Sequence, residues 1–583
     1  MRTPVIRSLA LALWAGAAVA PLASQGTPPP TTDSKHSGTF PGGWRFPTIE
    51  PATFATSAMV VSNSELASQA GVEVMRVGGN AVDAAVATGF ALAVTYPFAG
   101  NIGGGGFMVI RMADGRVAAL DYREIAPLAA TRDMFVDPAT GKLTEKSVVG
   151  HLASGVPGAV AGLTEALKKY GRLPLARVMA PAIRLAKEGF IVDSALARSL
   201  AGSKEKIGRF AGGARFAPNG ETPAPGSRLV QPELARSLEL IAAKGASAFY
   251  TGPVGEALVA EMKRGGGLIT MADLARYRPI WRKPIFSTYR DHTIISMPPA
   301  SSGGVTMTEA LNILEARGRP APYASTAYYH GLAESFRRAF IDRNSKLGDP
   351  AFVKVPLKEL TSKQYARARA ATIDPAKATV TPAFKSGVEP EHTTHYSVVD
   401  QRGNAVATTT TLNGGYGSGV WIPEGGFFMN NEMDDFAAQP GTPNMFGLVQ
   451  GEANAVAPGK RMLSAMAPTI VLDPQRRVLL VVGAAGGPTI ITATMQVILN
   501  VIDNGMTLAA AMRAPRLHHQ ALPDAIAFEQ NGATPAVLDS LRAMGHAIEF
   551  RSGIANVNAI MWVAGGGWHG VREPRSVGGA VGF

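Results

Sequence analysis

Leu66, Ala70, Val74 and Val77 recur at helical spacing, and Gly78-Gly79 supply a stop. Ser62 with Glu65 forms the capping-box pattern expected at the start of that helix. The next stretch, 82–95, is apolar almost throughout and ends before Pro97, which predicts a helix buried on every side. Pro157 at the start, Lys168 and Lys169 in the last turn and Gly171 at the end mark a third helix. From Thr393 onward the chain reads as hairpins. Residues 394–399 are β-rich, Asp400-Gln401-Arg402-Gly403-Asn404 carries turn chemistry, and 405–412 returns. Pairing across that turn makes the paired residue numbers sum to about 805, which brings Thr411 and Asn413 back beside Thr393. A second hairpin joins 469–472 to 478–482 through Asp473-Pro474-Gln475-Arg476. It runs into Gly483-Ala484-Ala485-Gly486-Gly487-Pro488, which opens a helix carrying Ile490, Ile491, Met495 and Ile498. Helices and hairpins mixed in this way predict an α+β layered sandwich.

The first residues follow a different pattern. Arg2 and Arg7 precede an apolar run, 9–20, too short to anchor in a bilayer, so residues 1–24 read as a secretory signal peptide. Residues 25–46, rich in Pro, Thr and Gly, read as a flexible tether. No later segment reaches eighteen uninterrupted apolar residues, so no stable membrane anchor is expected and the mature protein is placed in the periplasm or outside the cell. The 583 residues include no cysteine, which excludes disulfides, thiolate metal sites and a cysteine nucleophile. A net charge of +12 is spread without any run of five or six cations, so nucleic acid is not an expected partner.

Several kinds of chemistry are missing their signatures. No Gly-x-Ser-x-Gly elbow occurs beside a plausible triad, and His518-His519 lacks the carboxylate spacing of H-E-x-x-H. Glycines 103–106 lack the Lys-Ser/Thr of a phosphate loop, and the strand-to-helix glycines at 486–487 lack a full G-x-G-x-x-G. Neither a metal nor a cofactor is expected. Gly486 and Gly487 have another use, because backbone N–H groups at a strand-to-helix junction can meet developing negative charge.

One run carries more information: Glu391-His392-Thr393-Thr394-His395-Tyr396-Ser397-Val398-Val399-Asp400. With it stand Asp121-Tyr122-Arg123-Glu124, Thr411-Leu412-Asn413, Asn430-Asn431-Glu432-Met433-Asp434-Asp435-Phe436, Gly486-Gly487 and Pro574-Arg575-Ser576-Val577. In content and order, from about Ala58 to the C-terminus, these motifs resemble the gamma-glutamyltransferases (gamma-glutamyltranspeptidases), which are N-terminal-nucleophile hydrolases. The resemblance implies a four-layer αββα sandwich built from two autoprocessed subunits, a large one over 47–392 and a small one over 393–583, held as a heterodimer.

It also implies roles. A threonine hydroxyl is a weak nucleophile without an adjacent base, and its own α-amine, with a pKa of roughly 7.7 to 8.0, is suited to that task. Thr393 is internal, so its nitrogen is an amide until the His392-Thr393 bond breaks. After cleavage Thr393 is the nucleophile, Thr411 orients it, and Gly486 and Gly487 stabilise the oxyanion. Arg123 grips the substrate α-carboxylate and Asp435 its ammonium, while Asn413, Glu432 and Ser464 supply further polar contacts. The substrates implied are glutathione and other γ-glutamyl compounds, with water, an amino acid or a peptide as acceptor. Two departures bear on the substrate. Ala465 stands where the family commonly has a second serine, and Phe446 stands where some members place a tyrosine in a lid over the pocket. A glutaryl- or cephalosporin-type acylase of the same family, and a non-catalytic γ-glutamyl peptide-binding protein, are the alternatives.

Overall fold

Side chains alternate along the strand Gly105–Arg111: Phe107 and Val109 join one apolar core, Met108 and Ile110 another. Met59–Ser62 and Ala405–Thr411 divide in the same way, with Val60 and Val406 on one face and Met59, Val61, Ala405 and Ala407 on the other. A sheet apolar on both faces needs cover on both, and each core shows what provides it.

The computed structural model describes residues 40–48, 50–381 and 393–583. They lie within one compact unit, Ser34–Phe583. The expected signal peptide, the tether up to residue 39 and His392 lie outside the described residues.

Two seven-stranded sheets stand at the centre. The first, in spatial order, is Gly579–Gly582, Met59–Ser62, Thr393–Val399, Ala405–Thr411, Gly105–Arg111, Val117–Tyr122 and Ile280–Arg282. The second is Thr53–Ala55, Trp568–Val571, Asn556–Trp562, Val478–Ala485, Thr469–Leu472, His292–Ser296 and Ile285–Tyr289. Every pairing in both is antiparallel. The helices Glu65–Arg76, Ala81–Thr95 and Ala159–Tyr170 cover the outer face of the first sheet. Gly303–Ala316, Thr326–Lys346 and Thr489–Ile502 cover the second. The result is the expected αββα sandwich.

The sheets are pinned by polar contacts as well as apolar ones. Ser397 Oγ donates across the interface to Val481 O and Asn558 O, each at 3.2 Å. The fully buried His395 ring bonds Thr409 Oγ1 at 2.8 Å and Ser397 Oγ at 3.1 Å, and it fills the space a Cβ on Gly483 would need. Burial drives the His395 pKa down to about 3, so the ring is neutral.

Some local expectations change. The first helix is capped by Ser64, whose side chain accepts from the Ala67 N–H, and Ser62 ends the preceding strand. The second helix begins at Ala81 with a true capping box between Asn80 and Asp83. The third starts at Ala159, two residues beyond Pro157. The first hairpin keeps its expected pairing, Thr393 with Thr411, and its Asp400-Asn404 turn closes with Asp400 N–H donating to Asn404 O. From Phe40 the expected tether is packed: Trp44 is buried, its Nε1 donates to Arg513 O at 3.0 Å, and Arg45 pairs with Glu529.

Candidate active site

Thr393 opens an interior strand of the first sheet, and register alone sets its side chain beside Thr411 at the end of the neighbouring, central strand. The two hydroxyl oxygens lie 3.3 Å apart. Thr411 Oγ1 also accepts the Asn413 N–H at 2.7 Å. The chain leaves the strand at Asn413 with φ +73°, a left-handed turn that asparagine tolerates. That turn aims the Asn413 amide at Asn431 O, 3.1 Å away. Asn101 braces the same corner, donating to Thr411 O at 2.9 Å and accepting the Gly104 N–H at 2.8 Å. The glycine run before Phe107 is explained here. A Cβ on Gly104 would press into Thr411 O, and one on Gly105 into Tyr122 O and Glu124.

The strand Val117–Tyr122 delivers Arg123 and Glu124 to this end of the sheet, and the short 3₁₀ turn Glu432–Asp435 faces them. Arg123 Nη1 meets Glu432 at 2.5 Å, Nη2 pairs with Asp435, and Glu124 lies 3.7 Å from Nη1. All four are buried. The adjacent acids have separate tasks. Asp434 receives Ser147 Oγ at 2.7 Å and the Met445 N–H at 3.0 Å, which fixes the 444–448 loop, whereas Asp435 meets the guanidinium. Burial works against the Arg123 charge, but Glu432, Asp435 and Glu124 hold its pKa above the ordinary arginine value. Burial also pushes the carboxyls up, Glu124 to about 8 and Glu432 well above the usual range, with Arg123 opposing it in both. Asp435 is raised by the same burial and held back by Arg123 and Arg343.

A pocket with about 300 Å³ of empty space brings these groups together, lined by Thr393, Thr411, Asn413, Arg123, Asp435, Ser464 and Gly487 from the sequence-derived set. Gly486 and Glu432 sit one layer behind. Gly486 precedes Gly487 at φ +139° and +52°, and its carbonyl receives Thr489 Oγ1 at 2.6 Å at the start of Thr489–Ile502. Ser464 Oγ accepts the Met466 N–H at 3.1 Å, and Ala465 and the buried Phe446 are also on the wall. Asn444 fastens the Phe446 loop by accepting the Phe446 and Leu448 N–H groups, each at 3.1 Å.

Sequence reasoning missed Arg343, Leu448, Met466 and Ile490, which also line the pocket. Arg343 comes from the long helix Thr326–Lys346, whose mixed charged and apolar face carries no periodic signal. Burial lowers its pKa to about 10, still charged at neutral pH, with Asp435 opposing the shift. Among the described residues no cluster of three His, Asp or Glu is arranged to hold a metal ion.

A hydroxyl at the first position of an interior strand, a neighbouring hydroxyl, a strand-to-helix glycine turn and two stacked antiparallel sheets between helix layers define an N-terminal-nucleophile hydrolase. Comparison with known proteins agrees. A sequence model of the gamma-glutamyltranspeptidase family matches residues 67–583, and the chain belongs to that family. The glutathione hydrolase proenzyme of Escherichia coli (strain K12) is 47% identical over 530 residues, spanning 90% of this chain and 91% of its own. The acylase ACY 1 proenzyme of Pseudomonas sp. (strain SE83) is 41% identical over 535 residues, spanning 89% and 94%. The crystal structure of a cephalosporin acylase from Bacillus halodurans superposes with a TM-score of 0.82 at 28% identity, across 93% of this chain and 99% of that one.

Proposed function

We propose that this chain is a gamma-glutamyltransferase and glutathione hydrolase that creates its own nucleophile by cutting the His392-Thr393 bond. The Thr393 hydroxyl attacks the carbonyl carbon of residue 392, the C–N bond breaks, and an ester with a free Thr393 amine forms. Water hydrolyses the ester, leaving a carboxylate on residue 392 and a free hydroxyl on Thr393. The amine then takes the hydroxyl proton as Thr393 Oγ1 attacks a γ-glutamyl amide carbon. Gly486 and Gly487 N–H groups meet the oxyanion, the amine leaving group carries the proton away, and a γ-glutamyl ester remains. Water releases glutamate from it, or an amino acid or peptide amine takes the acyl group. Arg123 and Ser464 hold the α-carboxylate of the glutamyl unit, Asp435 and Asn413 hold its amino side, and Glu432, expected there from sequence, instead backs Arg123 from behind the pocket. The two products of self-cleavage stay together as large and small subunits, and the leader at residues 1–24 places them in the periplasm or outside the cell.

The observation that carries this reading is the position of Thr393. Its hydroxyl is 3.3 Å from that of Thr411, in the same pocket as the Arg123 and Asp435 charges that suit an amino-acid end. The test is a denaturing gel of purified protein with N-terminal sequencing of the smaller band. A fragment beginning at Thr393, absent from Thr393→Ala, is expected along with γ-glutamyl anilide hydrolysis. A Thr393→Ala chain that still splits at this bond would overturn the reading.

Ala465 on the pocket wall favours a second reading, an acylase for acyl groups without the amine; the Pseudomonas SE83 relative is named an acylase. Faster hydrolysis of a glutaryl anilide than of a γ-glutamyl anilide would decide for it.

A further inference from the structure

Arg343 is only 1% exposed, and among the described residues it makes no ion pair within 4 Å. A buried guanidinium without a contacting carboxylate is costly, so its presence calls for a reason other than stability. Two of its hydrogen bonds supply one, because they lead to the Ser464 and Asp435 walls of the pocket, while a third, Nη1 to Asn344 Oδ1 at 2.8 Å, stays on its own helix. On one side Nε donates to Ser302 Oγ at 3.0 Å, and that hydroxyl donates to Ser464 O at 2.6 Å. The Ser302 N–H reaches the same carbonyl at 2.7 Å. On the other side Nη1 donates to Gln450 Oε1 at 3.3 Å, and Gln450 Nε2 donates to Asp435 O at 3.1 Å. Asn454 closes this arm, with Nδ2 at 2.9 Å from Gln450 Oε1 and 2.6 Å from Asp435 O.

We propose that Arg343 is a positioning residue for the donor substrate: its planar guanidinium ties the Ser464 wall to the Asp435 wall and so sets the spacing between the groups that hold the two charges of the glutamyl end. This rests on the function proposed above. Each arm has its own support, Asn454 on Gln450 and the Ser302 N–H on Ser464 O, and the guanidinium is what joins the two arms. Ser302 accepts from the guanidinium and donates to Ser464 O, and Gln450 accepts from the guanidinium and from Asn454 while it donates to Asp435 O, so removing the guanidinium takes away the link between the two arms. A lysine keeps the charge but has no fork with which to reach both arms at once. The predicted effect is therefore on binding of the zwitterionic end, with the Thr393 chemistry spared.

The test compares Arg343→Lys, Ser302→Ala and Gln450→Met in the full-length, self-processed enzyme, with γ-glutamyl-p-nitroanilide as donor. Arg343→Lys is expected to raise the donor KM about tenfold, as for loss of one hydrogen bond to a charged network, with kcat within about threefold and complete self-cleavage. Ser302→Ala and Gln450→Met are expected to raise KM by less and to add little on top of Arg343→Lys, the signature of one shared network. An unchanged donor KM in Arg343→Lys, or kcat falling in place of a KM rise, or fully additive double variants would each overturn the proposal. Should Arg343→Lys fail to fold, unchanged KM values in the two smaller variants would do the same. A parent protein without γ-glutamyl turnover would instead refute the function itself.

Discussion

Replacing Thr411 with valine tests the site at its centre. Valine keeps the β-branch and the strand pairing with Thr393, so the change is confined to one oxygen. That oxygen accepts the Asn413 N–H at 2.7 Å and lies 3.3 Å from the Thr393 hydroxyl. Leaving the buried N–H unsatisfied should cost about 1–3 kcal/mol of stability. The loss at the nucleophile is larger in consequence. A hydrogen bond to a group acquiring charge is worth about 1.5–3 kcal/mol, so both self-cleavage and kcat should fall about tenfold to a hundredfold. Thr411→Ser, which restores the oxygen, should recover most of each. The assay is a time course of the uncut band on a denaturing gel, run beside p-nitroaniline release by the matured fraction. If Thr411→Val matures and turns over within about twofold of the parent, or if serine is as slow as valine, the assigned role of this hydroxyl is wrong.

Three other outcomes follow from the same geometry. Asp435→Asn removes the carboxylate that faces Arg123 and should raise the γ-glutamyl donor KM about tenfold or more, while an acyl donor without an amine is affected far less; equal effects on both donors would contradict the ammonium assignment. Burial holds Glu124 near 8 against an ordinary 4.5, so between those values the folded chain keeps a proton that the unfolded chain has released, and this group makes stability fall as pH rises through that window. Glu124→Gln mimics the protonated form and should remove that contribution; melting curves of parent and variant that run parallel from pH 4.5 to 8 would refute it. Gly483→Ala would drive a methyl into the His395 ring at the interface of the sheets and should cost about 3 kcal/mol, read as a lowered Tm and poor soluble yield.

Much of this was legible because it depends on short-range rules. Turn chemistry at Asp400-Asn404 located the hairpin, and the hairpin alone brought Thr411 beside Thr393. The apolar stretch before Pro97 announced a helix with no exposed face, and Ala81–Thr95 is buried along its whole length. Arg123 and Asp435, more than three hundred residues apart, entered one site only through family resemblance, and their contact with each other was not foreseen, since no periodicity links the end of one strand to a distant 3₁₀ turn. Arg343 was invisible for a related reason: a charged residue on a helix predicts a solvated face unless the partners that bury it are already known. The packing of Trp44 was hidden by its surroundings, because a Pro- and Gly-rich segment resembles a linker whatever its one indole contacts. The glycines at 103–106 could be excluded as a phosphate loop, but their actual reason, close approach to the carbonyls of Phe428, Thr411, Tyr122 and Thr409 in turn, exists only in three dimensions.

The order of strands has a consequence for the nicked protein. In the first sheet Met59–Ser62 is flanked by strands from beyond Thr393, and Ala405–Thr411 by one from each side of it; the second sheet likewise begins and ends with strands that precede it. A cut before Thr393 therefore leaves two polypeptides knitted through five shared strand borders, three of them inside a sheet, where opening would bare unpaired backbone in the middle of a core. Dissociation and denaturation become one event, so the severed enzyme should melt in a single cooperative transition, and neither fragment should refold by itself.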